Sequence, residues 1–165
     1  MDAYSSKDFS DVKIVCGEEV FDCHQVVLAA RSPVFRAMFQ SNMKEAQSRK
    51  VEVLDVVPEV FSELLSFIYT GMIPKLEMFA EELLAAANKY QLDQLKEICV
   101  NHLCSIIDVK NCLHYLVIGD IYQAEQLKVS SLQYLDRHKA RIFKSKDWKE
   151  NLEKHPHLLR NILTS

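Results

Sequence analysis

The segment Val27-Leu28-Ala29-Ala30-Arg31-Ser32-Pro33-Val34-Phe35-Arg36-Ala37-Met38-Phe39 holds a helix, a corner and a second helix in quick succession. Its first part belongs to a helix running from His24 to Arg31, apolar at Val27, Leu28 and Ala30. Ser32 then supplies an N-cap and Pro33 a preset first turn, after which Val34, Phe35, Met38 and Phe39 recur at helical spacing. Val26, Val27 and Leu28 wrap most of one helical turn and cannot all point inward. At least one of the valines is therefore left for a surface other than the core.

Working outward toward the N-terminus, Asp11-Val12-Lys13-Ile14-Val15-Cys16 and Glu19-Val20-Phe21-Asp22-Cys23 flank Gly17-Glu18. Glycine first in a two-residue loop suits a type II′ hairpin turn, which sets Ile14 opposite Phe21 and Lys13 opposite Asp22. Val12, Ile14, Phe21 and Cys23 then share the core face. Toward the C-terminus, Lys50-Val51-Glu52-Val53 alternates as a short strand. Pro58 opens a helix with Phe61, Leu64, Leu65 and Ile68 at helical spacing, stopped near Gly71. Helices follow around Phe79-Leu83-Leu84-Ala87 and Leu92-Leu95-Ile98-Cys99-Leu103. Strand, strand, helix pair, strand and then helices make an α+β fold, a small sheet flanked by helices. Beyond Asp108 the pattern is helical throughout, with stripes at Leu113, Leu116 and Val117 and at Leu127, Leu132 and Leu135, and shorter pieces at Trp148-Leu152 and Leu158-Leu159-Ile162. The expected domains are 9–108 for the sheet-bearing fold and 109–165 for an all-helical extension.

The 165 residues are 48% hydrophobic, enough to bury a core, and contain no apolar run that spans a bilayer. The start, Met1-Asp2-Ala3-Tyr4-Ser5-Ser6-Lys7-Asp8, lacks the basic-then-apolar order of a secretory signal. Five scattered cysteines (Cys16, Cys23, Cys99, Cys104, Cys112) suit reduced thiols in the nucleus or cytoplasm better than a disulfide framework. Net charge divides unevenly: residues 1–108 hold 10 Lys/Arg against 17 Asp/Glu, giving −7, and residues 109–165 hold 10 against 6, giving +4. The basic residues of the second part, Arg137, Lys139, Arg141, Lys144, Lys146 and Lys149, are interspersed with acids and make a solvated helical face rather than a nucleic-acid patch.

Catalytic chemistry finds little support. Gly17, Gly71 and Gly119 lie too far apart to build a Rossmann or Walker loop, so no nucleotide cofactor is expected. There is no Gly-x-Ser-x-Gly elbow and no His-Glu-x-x-His metal motif. Cys99 and His102 share a helical face, but Cys104 falls on the other side, so a metal site there is not expected either. His155-Pro156-His157 reads as a cap and first turn. Cys23 and His24, being adjacent, do not face each other as a nucleophile and its base would. No catalytic, cofactor-binding or metal-binding residue is assigned, and the chain is not expected to be an enzyme; a thiol-dependent activity would announce itself as one fast-reacting cysteine.

Several linked features resemble the BTB/POZ domain: Phe9-Ser10-Asp11-Val12, Phe21-Asp22-Cys23-His24, the helix–corner–helix quoted at the outset, Val51-Glu52-Val53, Val57-Pro58-Glu59-Val60-Phe61 and Phe67-Ile68-Tyr69-Thr70-Gly71. Leu83-Leu84-Ala85-Ala86-Ala87-Asn88-Lys89-Tyr90, Leu95-Lys96, Trp148-Lys149 and His155-Pro156-His157-Leu158 are similar to the speckle-type POZ, or MATH–BTB, group, in which a short BACK-like helical region follows. The resemblance implies a homodimer, with higher oligomers supported by some relatives, that binds the third cullin and brings substrates held by a MATH domain to a ubiquitin-transferring complex. It places Met43-Lys44-Glu45 on the family's hydrophobic-x-Glu cullin signature, so Met43 and Glu45 are the expected cullin contacts, joined by Tyr69, Pro74, Leu76 and Tyr90. Val27, with Val26 and Phe35 beside it, falls in the family's dimer interface.

Four departures qualify the likeness. No MATH segment precedes Met1, and the leucine-bearing lead-in to the BTB fold is missing. Leu163 stands where relatives carry a tyrosine that supports higher assembly, and their basic nuclear-targeting tail is absent. A BTB dimer recruiting transcriptional corepressors without a cullin is the alternative function.

Overall fold

The computed structural model describes residues 8–40 and 49–142. Its elements are β1 (Val12–Cys16), β2 (Glu19–Cys23), α1 (Gln25–Arg31), α2 (Pro33–Gln40), β3 (Lys50–Val53), α3 (Pro58–Thr70), α4 (Leu76–Tyr90), α5 (Asp93–Ser105), α6 (Cys112–Ile121) and α7 (Glu125–Ile142). The chain divides into two compact units, Met1–Cys99 and Val100–Ser165.

In the first unit the sheet has the order β2-β1-β3. β1 and β2 are antiparallel with Ile14 paired to Phe21 and Lys13 to Asp22, the register the hairpin loop implied. Gly17 takes φ 58° while Glu18 does not have a positive φ, which is the II′ pattern. β3 runs parallel to β1, pairing Ile14 with Val51. A parallel pair requires a crossover, and the segment containing α1 and α2 supplies it. Period-two alternation sends Val12, Ile14, Cys16, Val51 and Val53 to the buried face.

The helix–corner–helix forms as its residues dictate. Ser32 is wholly buried, and its hydroxyl accepts the Phe35 N–H at 3.2 Å while donating to the Tyr90 carbonyl at 2.7 Å. The capping serine therefore also ties the α1–α2 corner to the end of α4. Phe35 stacks on Tyr90 with centroids 4.7 Å apart, and Phe61 meets Tyr90 edge-on at 6.3 Å. Such pairs add about 0.5–1.5 kcal/mol each beyond their buried area. α3 begins at Pro58 and ends at Gly71 in the left-handed region, φ 76°, with the Gly71 N–H donating to the Phe67 carbonyl at 2.8 Å.

α4 begins earlier than its apolar spacing suggests. It starts at Leu76 and is broken at Phe79, whose φ/ψ of −124°/19° is not helical. The cause of the early start sits in α3: the buried carboxylate of Glu63 accepts the Lys75 N–H at 3.0 Å, satisfying a donor at the head of α4. Gln91, at φ 53°, ends α4 in the conformation glycine usually supplies.

In the second unit, α6 and α7 are joined by three residues and pack on each other. Cys112, Leu113, Leu116, Val117, Leu135 and Ile142 form the buried cluster, with Leu132 partly buried against it and Leu127 wholly buried nearby. Gly119 marks the closest approach: a Cβ there would lie 2.9 Å from the Lys128 backbone nitrogen. A 2.7 Å ion pair between Lys128 and Asp120 closes the same contact. Trp148, His155-Pro156-His157, Leu158 and Leu163 lie outside the described residues.

Candidate protein-interaction surfaces

Among the apolar residues of the first unit left exposed in the single chain, two groups hold expected site residues. On α1, Leu28 is wholly buried, Val27 half-buried and Val26 74% exposed, so the three-residue wrap resolves into one core residue and two outward valines. The outward side borders an open groove of about 520 Å³ lined by Val26, Val27, Ala30, Ile68 and Tyr69, among others. Covering an exposed valine fully is worth about 1.5–3 kcal/mol, so the two valines reward a partner without straining the monomer.

The start of α1 is firmly anchored. Asp11 Oδ1 accepts the Gln25 N–H at 2.7 Å and so caps the helix. The Asp8 carbonyl, which can only accept, takes a hydrogen bond from His24 Nε2–H at 2.9 Å. In the neutral ring Nδ1 then accepts from the Tyr69 hydroxyl at 3.0 Å, while Tyr69 Oη accepts the His24 backbone N–H at 2.9 Å. Tyr69, from α3, thus clamps α1 in place. Burial is the main cause that raises its hydroxyl to about 12.

The second surface follows Gly71. Met72 is 63% and Met78 70% exposed, Pro74 is exposed, and Leu76 is half-buried. Exposed, flexible methionines adapt to apolar pockets of many shapes. Neither Met72 nor Met78 stood out in the sequence, although Met78 falls off the core stripe of Phe79, Leu83, Leu84 and Ala87, and that displacement was the available signal; Met72 precedes α4 and has no such signal.

The expected site residues separate clearly. Val26 and Val27 lie at one uncovered surface, Pro74 and Leu76 at the other, and Tyr69 beside the first as a half-buried clamp. Phe35 and Tyr90 are wholly buried and stacked on each other, so their side chains support these surfaces from beneath and do not reach a partner. Met43 and Glu45 lie outside the described residues.

Four of the five thiols sit in environments unfavourable to a thiolate. Burial pushes Cys23 and Cys99 up to about 12, and Cys16 and Cys112 are raised by burial too. Cys23 and His24 do not form a nucleophile–base pair; each turns to Tyr69 instead. Among the described residues, no group of three or more His, Cys, Asp or Glu side chains is placed to hold a metal ion. No described helix is long and apolar enough to cross a membrane.

The family model of the BTB/POZ domain matches residues 1–107, and the chain belongs to that family. Its α+β fold, a three-stranded sheet with flanking helices and a helical continuation, is a BTB fold. Among solved structures it is similar to the BTB domain of zebrafish PATZ1, at 34% sequence identity over 55% of this chain and 72% of that one, with a TM-score of 0.49. BTB domains typically dimerise, bind partner proteins and are generally non-enzymatic, and membership makes this chain a protein-interaction module.

Proposed function

We propose that this chain is a dimeric BTB adaptor that binds the third cullin scaffold of a cullin-RING ubiquitin ligase, promoting ubiquitination and proteasomal degradation of recruited substrates. The observation that carries this reading is the pair of separate apolar surfaces on one BTB unit. The outward valines of α1 suit a two-fold, self-complementary contact with a second copy, for which Val26 and Val27 are the contacts and Phe35 the buried support. The segment following Gly71, with Pro74 and Leu76 joined by Met72 and Met78, suits the cullin, and the family likeness adds Tyr69 and Tyr90 to the cullin side. The Met43-Lys44-Glu45 triplet adds the hydrophobic-x-Glu signature of cullin-binding relatives. The likeness to the MATH–BTB group supports a BTB domain over 9–108 and a BACK-like region over 109–165, with the substrate reader supplied by a MATH domain. Such an adaptor works in the nucleus or cytoplasm, with its thiols reduced.

The open groove beside Val26 and Val27 favours the second reading, in which a BTB dimer takes up a corepressor segment without a cullin. Paired variants separate the two. Met43→Ala and Glu45→Ala are expected to weaken binding to the N-terminal domain of the third cullin while leaving the dimer intact. Unchanged cullin affinity in both removes the triplet from the site, and absence of cullin binding in the parent chain moves the function to corepressor recruitment.

A further inference from the structure

We propose that the cleft between the α1–α2 corner and the turn at Gln91 is a docking site for one acidic side chain carried on an extended segment of a partner protein. The cleft encloses about 320 Å³ and lies wholly within the first unit. Arg31, the last residue of α1, and Arg36, in α2, both line it. Neither arginine is left to wander. The Arg31 guanidinium lies over the Phe67 ring, 5.6 Å from its centroid, and Arg36 Nε donates to the Ala29 carbonyl at 3.0 Å. A guanidinium carries five N–H donors, and Arg36 spends its Nε–H on Ala29 while its terminal N–H groups make no hydrogen bond to a described residue. Among the described residues the ion pairs are made by Lys50, Lys89, Lys128 and Lys139, and none by these two arginines.

Two cations thus line one cleft in which, among the described residues, Asp93 is the one acidic lining residue. The lining carries a net charge of +1, which one carboxylate neutralises. The planar guanidinium fork matches a carboxylate better than any other anion-binding side chain does. The walls are also fixed before any ligand arrives. Ser32, between the arginines in sequence, holds the corner to the Tyr90 carbonyl, and Gln91 keeps its left-handed φ of 53° immediately beyond. A pre-formed cleft loses less entropy on binding than one that must be ordered. Phe67 and Leu92 give it an apolar backing, and the side-chain amides of Gln91 and Gln94 offer both donors and acceptors. Apolar backing with neutral amides around a cationic pair suits a peptide bearing an acid next to an aliphatic residue; a bare inorganic anion would use the arginines alone. The cleft shares Ala30 and Arg31 with the groove beside Val26 and Val27, whereas Arg36, Gln91 and Gln94 do not line that groove, so Arg36→Gln tests the cleft apart from the dimer surface.

Titration of the isotopically labelled full chain with the blocked pentapeptide Gly-Leu-Glu-Leu-Gly, followed by NMR, tests this. Shifts are expected at the Arg31 and Arg36 Nε–H and at the Gln91 and Gln94 side-chain amides. The peptide with Gln in place of Glu should bind at least about tenfold more weakly, and Arg31→Gln and Arg36→Gln should each weaken the Glu peptide about tenfold, the worth of one charge-assisted contact. The losses should shrink as salt rises. Absence of shifts at the cleft, equal binding of the Gln peptide, or full affinity in a double variant with a native amide spectrum overturns the site. Inorganic phosphate that displaces the peptide at equal concentration overturns its peptide-docking form.

Discussion

Replacing Ser32 with alanine removes two hydrogen bonds from the corner that ties α1 and α2 to the end of α4. The side chain is wholly buried, so water cannot substitute for it. Loss of the cap on Phe35 N–H costs about 1 kcal/mol. The Tyr90 carbonyl, deprived of a donor now 2.7 Å away, adds about 1–3 kcal/mol as a buried acceptor left unsatisfied. Ser32→Ala is therefore expected to lose roughly 2–4 kcal/mol. With a urea slope of roughly 1–3 kcal/mol per molar, the unfolding midpoint read by circular dichroism should fall by on the order of 1–2 M at unchanged slope. Ser105 is the control, because its hydroxyl donates to the His102 carbonyl over the same 2.7 Å but in an exposed position. Ser105→Ala should stay within about 0.5 kcal/mol of the parent. Equal losses in the two variants, or a Ser32→Ala midpoint indistinguishable from the parent, would refute the claim that burial sets the value of this bond.

Three further outcomes are expected. Gly119→Ala should lower the melting temperature measured by calorimetry: the new Cβ meets Lys128 backbone at 2.9 Å, an overpacking of about 1–3 kcal/mol against about 1 kcal/mol gained in helix propensity; an unchanged or raised value contradicts the close approach. Stability should fall with rising pH above about 9, because Cys23 and Cys99 stay protonated up to about 12 in the folded chain but ionise near 9.0 when unfolded. Below 9 this contribution is fully present, and it is lost progressively toward 12; a urea midpoint that holds level or rises across this interval counts against the buried thiols. Val26→Lys should leave the fold intact, since the side chain is 74% exposed in the single chain, yet shift the mass from dimer to monomer in light scattering; an undiminished dimer mass removes α1 from the interface.

Local chemistry made much of the first unit legible. Gly17 with alternating flanks gave the hairpin and its register, Ser32-Pro33 the corner, and Pro58 and Gly71 the ends of α3, because each acts through neighbouring backbone. Long-range partners could not be read that way. Nothing near Lys75 announces that Glu63, twelve residues earlier, will fold back to cap α4, or that Ser32 will reach Tyr90 across 58 positions. The same limit explains the mixed fate of the site residues. Periodicity identifies Val26 as surplus to the core of α1, but Phe35 and Tyr90 are buried through a stacking pair that exists only once α2 and α4 meet.

The most direct test is the mass of the complex between the purified chain and the N-terminal domain of the third cullin, read by light scattering during size exclusion. The account predicts a two-to-two assembly. A clean dimer that passes the cullin domain without binding it would contradict the adaptor function while leaving the BTB fold in place.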